Sequence, residues 1–144
     1  MWPWGLIALG WVALIFFGGS GWFGRSGTQS LIDSLRGSPR LQGLLNRWHG
    51  EIRASFHYIE FGTLSLIVYL IFHLNWGAGL WTGWAAPATL AICAILAYLD
   101  EKRQELTPGR QFRTIDFIHS LIGLSAMQVI IALVALVRWA LDGG

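Results

Sequence analysis

The sequence predicts an all-α integral membrane protein with four transmembrane helices and an Arg-rich amphipathic connector between the first and the second. Three observations carry that prediction. Hydrophobic residues make up 54 % of the 144-residue chain and charged residues only 12 %, where a typical soluble domain is ~25 % charged. No Asp, Glu, Lys or Arg occurs between Phe61 and Leu99, and a soluble fold of this size buries only ~60–70 % of its surface, too little to hide so much apolar area. Four stretches also reach or approach the ~20 mostly apolar residues that cross a bilayer.

The first stretch covers residues 4–23, "WGLIALGWVALIFFGGSGWF". It is read as a retained helix rather than a cleaved signal peptide, because no Lys or Arg precedes it to form a basic n-region. Residues 25–55 follow, with Leu31, Ile32, Leu35, Leu41, Leu44, Leu45 and Trp48 interleaved with arginines. That spacing suits short amphipathic helices lying in the membrane interface, broken between Gly37 and Pro39. The second span is expected over residues 58–75 and the third over 82–99, joined by the turn "NWGAGLW"; the fourth covers 115–139. Helices are the natural form for all four, since an open sheet edge would leave backbone groups unpaired in lipid. The chain is a single domain over residues 1–144.

With four spans, the N-terminus, the turn between spans two and three, and the C-terminus share one membrane side. Trp2, Trp4, Trp76, Trp81, Trp84 and Trp139 all fall there, as an aromatic interface belt requires. Nine of the ten Lys and Arg residues collect on the opposite side, Arg138 being the exception. The formal charge of +2 is small and scattered, which argues against nucleic acid as a partner. Cys93 is the one cysteine and lies within an apolar stretch, so it reads as a small packed residue rather than half of a disulfide. His73 reads as a packed residue of span two.

The polar residues concentrate where three helix ends meet one membrane surface. His57 and Glu60 open span two, three residues apart and on one helix face. At the end of span three, Asp100 shares a face with Gln104, and Glu101 shares the neighbouring face with Glu105. Asp116 and His119 open span four on a common face, with Arg110 and Arg113 on the loop above. An ionisable group inside a span costs at least ~2.5–3.5 kcal/mol at mid-bilayer and less near the interface, so Glu60 and Asp116, each followed by a long apolar run, point to function. Lys102, Arg103 and Glu105 are expected to be merely solvated.

These residues carry a resemblance. The string H-x-x-E-F-x-x-L at His57, Glu60, Phe61 and Leu64 is followed by D-E-x-x-Q-x-x-x-P-G-R-x-x-x-x-x-D at Asp100, Glu101, Gln104, Pro108, Gly109, Arg110 and Asp116, with Gly123 beyond. Over residues 56–125 the chain resembles the VanZ-like family of small polytopic membrane proteins. It departs from that family at Ser120, where members tend to carry Asn. The resemblance implies a multi-pass protein of the bacterial cytoplasmic (inner) membrane and, as ligand, a cell-envelope or exopolysaccharide glycan, free or lipid-linked.

Carboxyl pairs at the rim of an apolar cavity are what glycosidic cleavage uses: one donates a proton to the leaving oxygen, the other activates water or attacks the sugar. The expected enzyme is therefore a membrane-embedded hydrolase with Glu60, Asp116 and Glu101 as catalytic candidates. His57, Asp100, Gln104, Arg110, Arg113 and His119 would contact substrate, and membrane lipids would be the surroundings. This mechanism calls for no cofactor and no metal. A hydrolytic metal site built from the pairs His57/Glu60 and Asp116/His119 is the competing chemistry. A third alternative has no turnover: a polar network pinning helices together, or a binding site for glycolipid or a teicoplanin-type glycopeptide antibiotic. No Ser-His-Asp arrangement is expected, because Ser120 and its neighbour His119 point to different faces. Homo-oligomerisation is left open.

Overall fold

The computed structural model describes residues 2–18, 39–76, 84–106 and 111–142, and these are almost entirely helical. Among them are four helices: α1 (Trp2–Gly18), α2 (Pro39–Trp76), α3 (Ala85–Glu105) and α4 (Thr114–Leu141). Their ends follow from local chemistry. Pro39 opens α2, where its missing N–H costs nothing and its fixed φ suits a first helical residue. Pro87 is tolerated in the first turn of α3 for the same reason. Asp116 lies in the first turn of α4 and Lys102 and Arg103 in the last turn of α3, each complementing the helix dipole.

Two boundaries differ from those the hydropathy pattern suggests. Residues 39–55, expected within the interfacial connector, are the first turns of α2, which runs on unbroken into the span for 38 residues. Gly43 and Gly50 each weaken a helix by only ~1 kcal/mol and remove no hydrogen bond, so neither ends it. The break expected near Pro39 coincides with the helix start, and residues 19–38 lie outside the described residues. Helix α3 continues past Leu99 to Glu105, so its charged tail extends the same rod.

Two segments, Ala54–Trp76 and Thr114–Leu141, are long and apolar enough to cross a membrane; Gly5–Phe17 is apolar but shorter. Helix α3 is interrupted as an apolar segment by its own Asp100, Glu101 and Lys102.

Helix α2 is the hub. It packs most extensively on α4 and also touches α3 and α1. The α2–α4 contact is close because Gly62 and Gly123 face each other: a Cβ on Gly62 would meet the Gly123 carbonyl oxygen at 3.3 Å. Ser65 Oγ donates across this seam to the Leu124 carbonyl at 3.2 Å, and Gln128 Nε2 donates to Ser65 Oγ at 2.9 Å. Helix α1 is held by the Trp11 indole N–H, which donates to the Glu60 carbonyl at 3.0 Å, and by Phe16 under the Arg103 guanidinium at 5.3 Å.

The interior is more polar than the exterior. Ser65, Thr89, Gln128, Asp100, Glu101, Gln104 and Asp116 are buried, whereas Leu9, Phe17, Ile95, Leu133 and Val137 are exposed. Cys93 is buried in the apolar core beside Phe61, Leu64 and Leu124. At one end Phe72, Trp76 and Trp84 form an edge-to-face cluster with centroids 4.9–6.1 Å apart, and Trp139 is exposed. The side chains of Trp2 and Trp4, and Trp81 altogether, lie outside the described residues. His73 stacks on Tyr69 at 6.2 Å, within α2.

Candidate active site

The end of α3, the start of α4 and the first apolar turn of α2 converge on one polar cluster. His57, Glu101 and Asp116 come from α2, α3 and α4 respectively, and one donor atom of each lies within 4.8 Å of the others. All three side chains are buried, at 7 %, 1 % and 2 % exposure. Three separate helices thus place a histidine and two carboxylates together with almost no contact with the surroundings.

Arg113 closes the cluster from the loop. Its backbone N–H donates to Glu101 Oε2 at 3.3 Å, and its half-exposed guanidinium lies 3.5 Å from Asp116 Oδ2. Its backbone is extended, so the chain turns from loop to helix at the point where both acids are engaged.

Ser120, one turn along α4 from Asp116, orients the histidine. Its hydroxyl donates to the Asp116 carbonyl at 3.1 Å, and its oxygen is 3.3 Å from His57 Nδ1. A hydroxyl has one proton; with that proton committed to the carbonyl, its oxygen accepts from Nδ1–H. The lone pair of the ring is then on Nε2. Ser120 does not pair with its neighbour His119; its histidine partner is 63 residues away on α2. No signal within a single helix marks such a contact.

A second polar group adjoins the first. Gln104 Nε2 donates to Asp100 Oδ2 at 2.6 Å and Arg103 pairs with Asp100 Oδ1 at 3.0 Å. This bears out the common face expected for Asp100 and Gln104. Glu101 and Asp116, two of the three catalytic candidates, lie with His57 in one cluster, and Glu60, half-buried on α2, is not among the three residues whose donor atoms gather there.

The remaining candidates separate. His119 is half-buried and makes an edge-on contact with Tyr58 at 5.2 Å, outside the group of three. The metal site expected from His57/Glu60 and Asp116/His119 is thus not the donor set that forms. Arg110 lies outside the described residues. Lys102 and Glu105 pair at 2.8 Å on the exposed side of α3, where the hydrogen bond to Glu105 holds the lysine ammonium above its ordinary value.

Comparison with known proteins finds no counterpart: no family model, no curated protein and no solved structure matches this chain. Any chemistry assigned to the cluster therefore rests on its own geometry.

Proposed function

We propose that the protein is a membrane-embedded hydrolase that cleaves glycosidic bonds in cell-envelope or exopolysaccharide glycans at the end of the helix bundle. The observation that carries this reading is the approach of Glu101 and Asp116, from different helices, to within 4.8 Å in a buried setting. Glycosidases cleave with two carboxyl groups placed on either side of the bond, and two acids from different helices meeting in one cluster supply such a pair. Asp116, paired with Arg113, is the ionised partner and acts as nucleophile. Glu101 donates the proton to the leaving oxygen and then takes one from water. His57 holds the two in register, and Asp100, Gln104 and Glu60 contact sugar hydroxyls.

All four helices cross the membrane in this reading. The outward Leu, Ile and Val side chains against a polar interior support it, because lipid rewards apolar exteriors and binds helices through polar and small residues. A multi-pass protein of the bacterial inner membrane with VanZ-like character follows from the same reading.

The test incubates detergent-purified protein with a panel of polysaccharides and polyprenyl-linked sugars and measures released reducing ends. Wild type is expected to turn over at least one of them. Asp116→Asn and Glu101→Gln should each lose at least ~10²–10⁴-fold of that activity with the melting temperature nearly unchanged. Glu60→Gln should cost far less. Full activity in both Asp116→Asn and Glu101→Gln would refute the carboxylate mechanism. Undiminished glycan binding with no turnover would replace the enzyme by a binding protein.

A further inference from the structure

We propose that His57, Glu101 and Asp116 form a binding site for a divalent first-row metal ion such as Zn²⁺ or Mn²⁺. The inference rests on this donor set and does not depend on glycans being the substrate.

Three features of the structure carry it. The three donor atoms lie within 4.8 Å of one another, and they come from three helices rather than one turn of one helix. Metal–ligand bonds of ~2.0–2.2 Å set donor atoms ~3.0–3.5 Å apart, so small side-chain rotations complete the site without moving a helix. The histidine is also prepared for the task. The relay from His57 Nδ1–H to Ser120 Oγ, and from Ser120 O–H to the Asp116 carbonyl, assigns the lone pair to Nε2. Second-layer bonds of this type fix the tautomer and ring orientation of metal-bound histidines.

The charge is right for a dication as well. Two carboxylates with a neutral imidazole give a formal charge of −2, of which the half-exposed Arg113 guanidinium offsets one, so a divalent ion binds against a net negative donor set. One nitrogen and two oxygens suit Zn²⁺ or Mn²⁺ better than Ca²⁺, which takes six to eight oxygens. Three protein ligands leave coordination positions for water, the pattern of a catalytic rather than a structural centre. Water bound there would become acidic enough to attack at neutral pH. Because the ion would use the same two carboxylates, chelation separates the two chemistries: loss of activity in EDTA supports the metal centre, and full activity in EDTA leaves Glu101 and Asp116 as the metal-free acid pair.

Full-length protein in detergent, stripped with EDTA and dialysed, is titrated calorimetrically with ZnCl₂ and separately with MnCl₂, and bound metal is counted by mass spectrometry after desalting. One equivalent per chain is expected for at least one of the two ions. His57→Ala and Asp116→Asn should weaken it by more than about tenfold, and Ser120→Ala by ~10–100-fold through loss of ring orientation. Glu105→Gln, exposed and outside the group, should bind as wild type does. No binding of either ion up to millimolar concentration overturns the proposal, as does equal affinity in wild type, His57→Ala and Asp116→Asn. Should those variants fail to fold, Mn²⁺ bound to the unaltered protein decides: its electron spin echo must be modulated by an imidazole nitrogen, and an echo without that modulation refutes the site.

Discussion

Gln128 and Ser65 show what single polar side chains do inside this bundle. Both are buried, and together they link α4 to α2 by two hydrogen bonds that end on a backbone carbonyl. Polar contacts between helices in lipid contribute ~0.6–2 kcal/mol. Gln128→Leu should therefore lower stability by about that amount in a detergent melt while leaving the His57–Glu101–Asp116 cluster, two turns or more away along α4, able to function. The same scale explains which site residues could be read from sequence. Asp100 and Gln104 were legible as a pair because i,i+4 spacing guarantees a shared face. Glu101 was legible as a candidate but not as the centre, since spacing within α3 says nothing about which face meets α4. Ser120 was illegible because its hydroxyl matters only through a histidine on another helix. Glu60 stands out by its hydropathy context, yet its carboxyl is not among the donor atoms that gather with His57, because hydropathy marks a costly group and not its partners.

Helices meet here through glycine. A Cβ at Gly123 would lie 2.6 Å from the Tyr58 carbonyl oxygen and 2.7 Å from Tyr58 Cα, both backbone atoms that cannot swing aside. Gly123→Ala must push α4 off α2, and a loss of ~1–3 kcal/mol in stability is expected from such overpacking. Since Tyr58 directly follows His57, activity and metal binding should fall as well. Gly5 and Gly10 are the internal control: a Cβ at either meets nothing within 4 Å. Alanine there should be neutral or stabilising by up to ~1 kcal/mol, because it restricts the unfolded helix without meeting a neighbour. A comparison of the three melting curves checks both predictions. Four helices were legible from apolar run lengths and the absence of charge between Phe61 and Leu99. Their ends were not, because α2 and α3 extend as helices through polar sequence, where hydropathy falls but the backbone bonding continues.

On the scale of the whole molecule, Ala54–Trp76 and Thr114–Leu141 are each long and apolar enough to cross a membrane. Helix α4 has 28 residues and is about 42 Å long at 1.5 Å per residue, more than the ~30 Å hydrocarbon thickness. Residues 111–113 and Asp142 are then on opposite sides. Cysteines introduced at Gln111 and Asp142 in a Cys93→Ser background should be labelled by a membrane-impermeant reagent from opposite faces of sealed vesicles. Labelling of both from one face would remove the membrane-spanning orientation of α4. Helix α2 has a further mechanical meaning. Its 15 residues before Ala54 form a stem of about 22 Å standing beyond the apolar segment and continuous with it. A rod with an intact hydrogen-bond ladder carries torque, so a twist applied to the stem arrives at His57 as a change of ring position against Glu101 and Asp116. Gly50→Pro would insert a joint, at ~2 kcal/mol locally, the difference between the helix costs of Pro and Gly. Rotation of the stem would then no longer be passed on to His57.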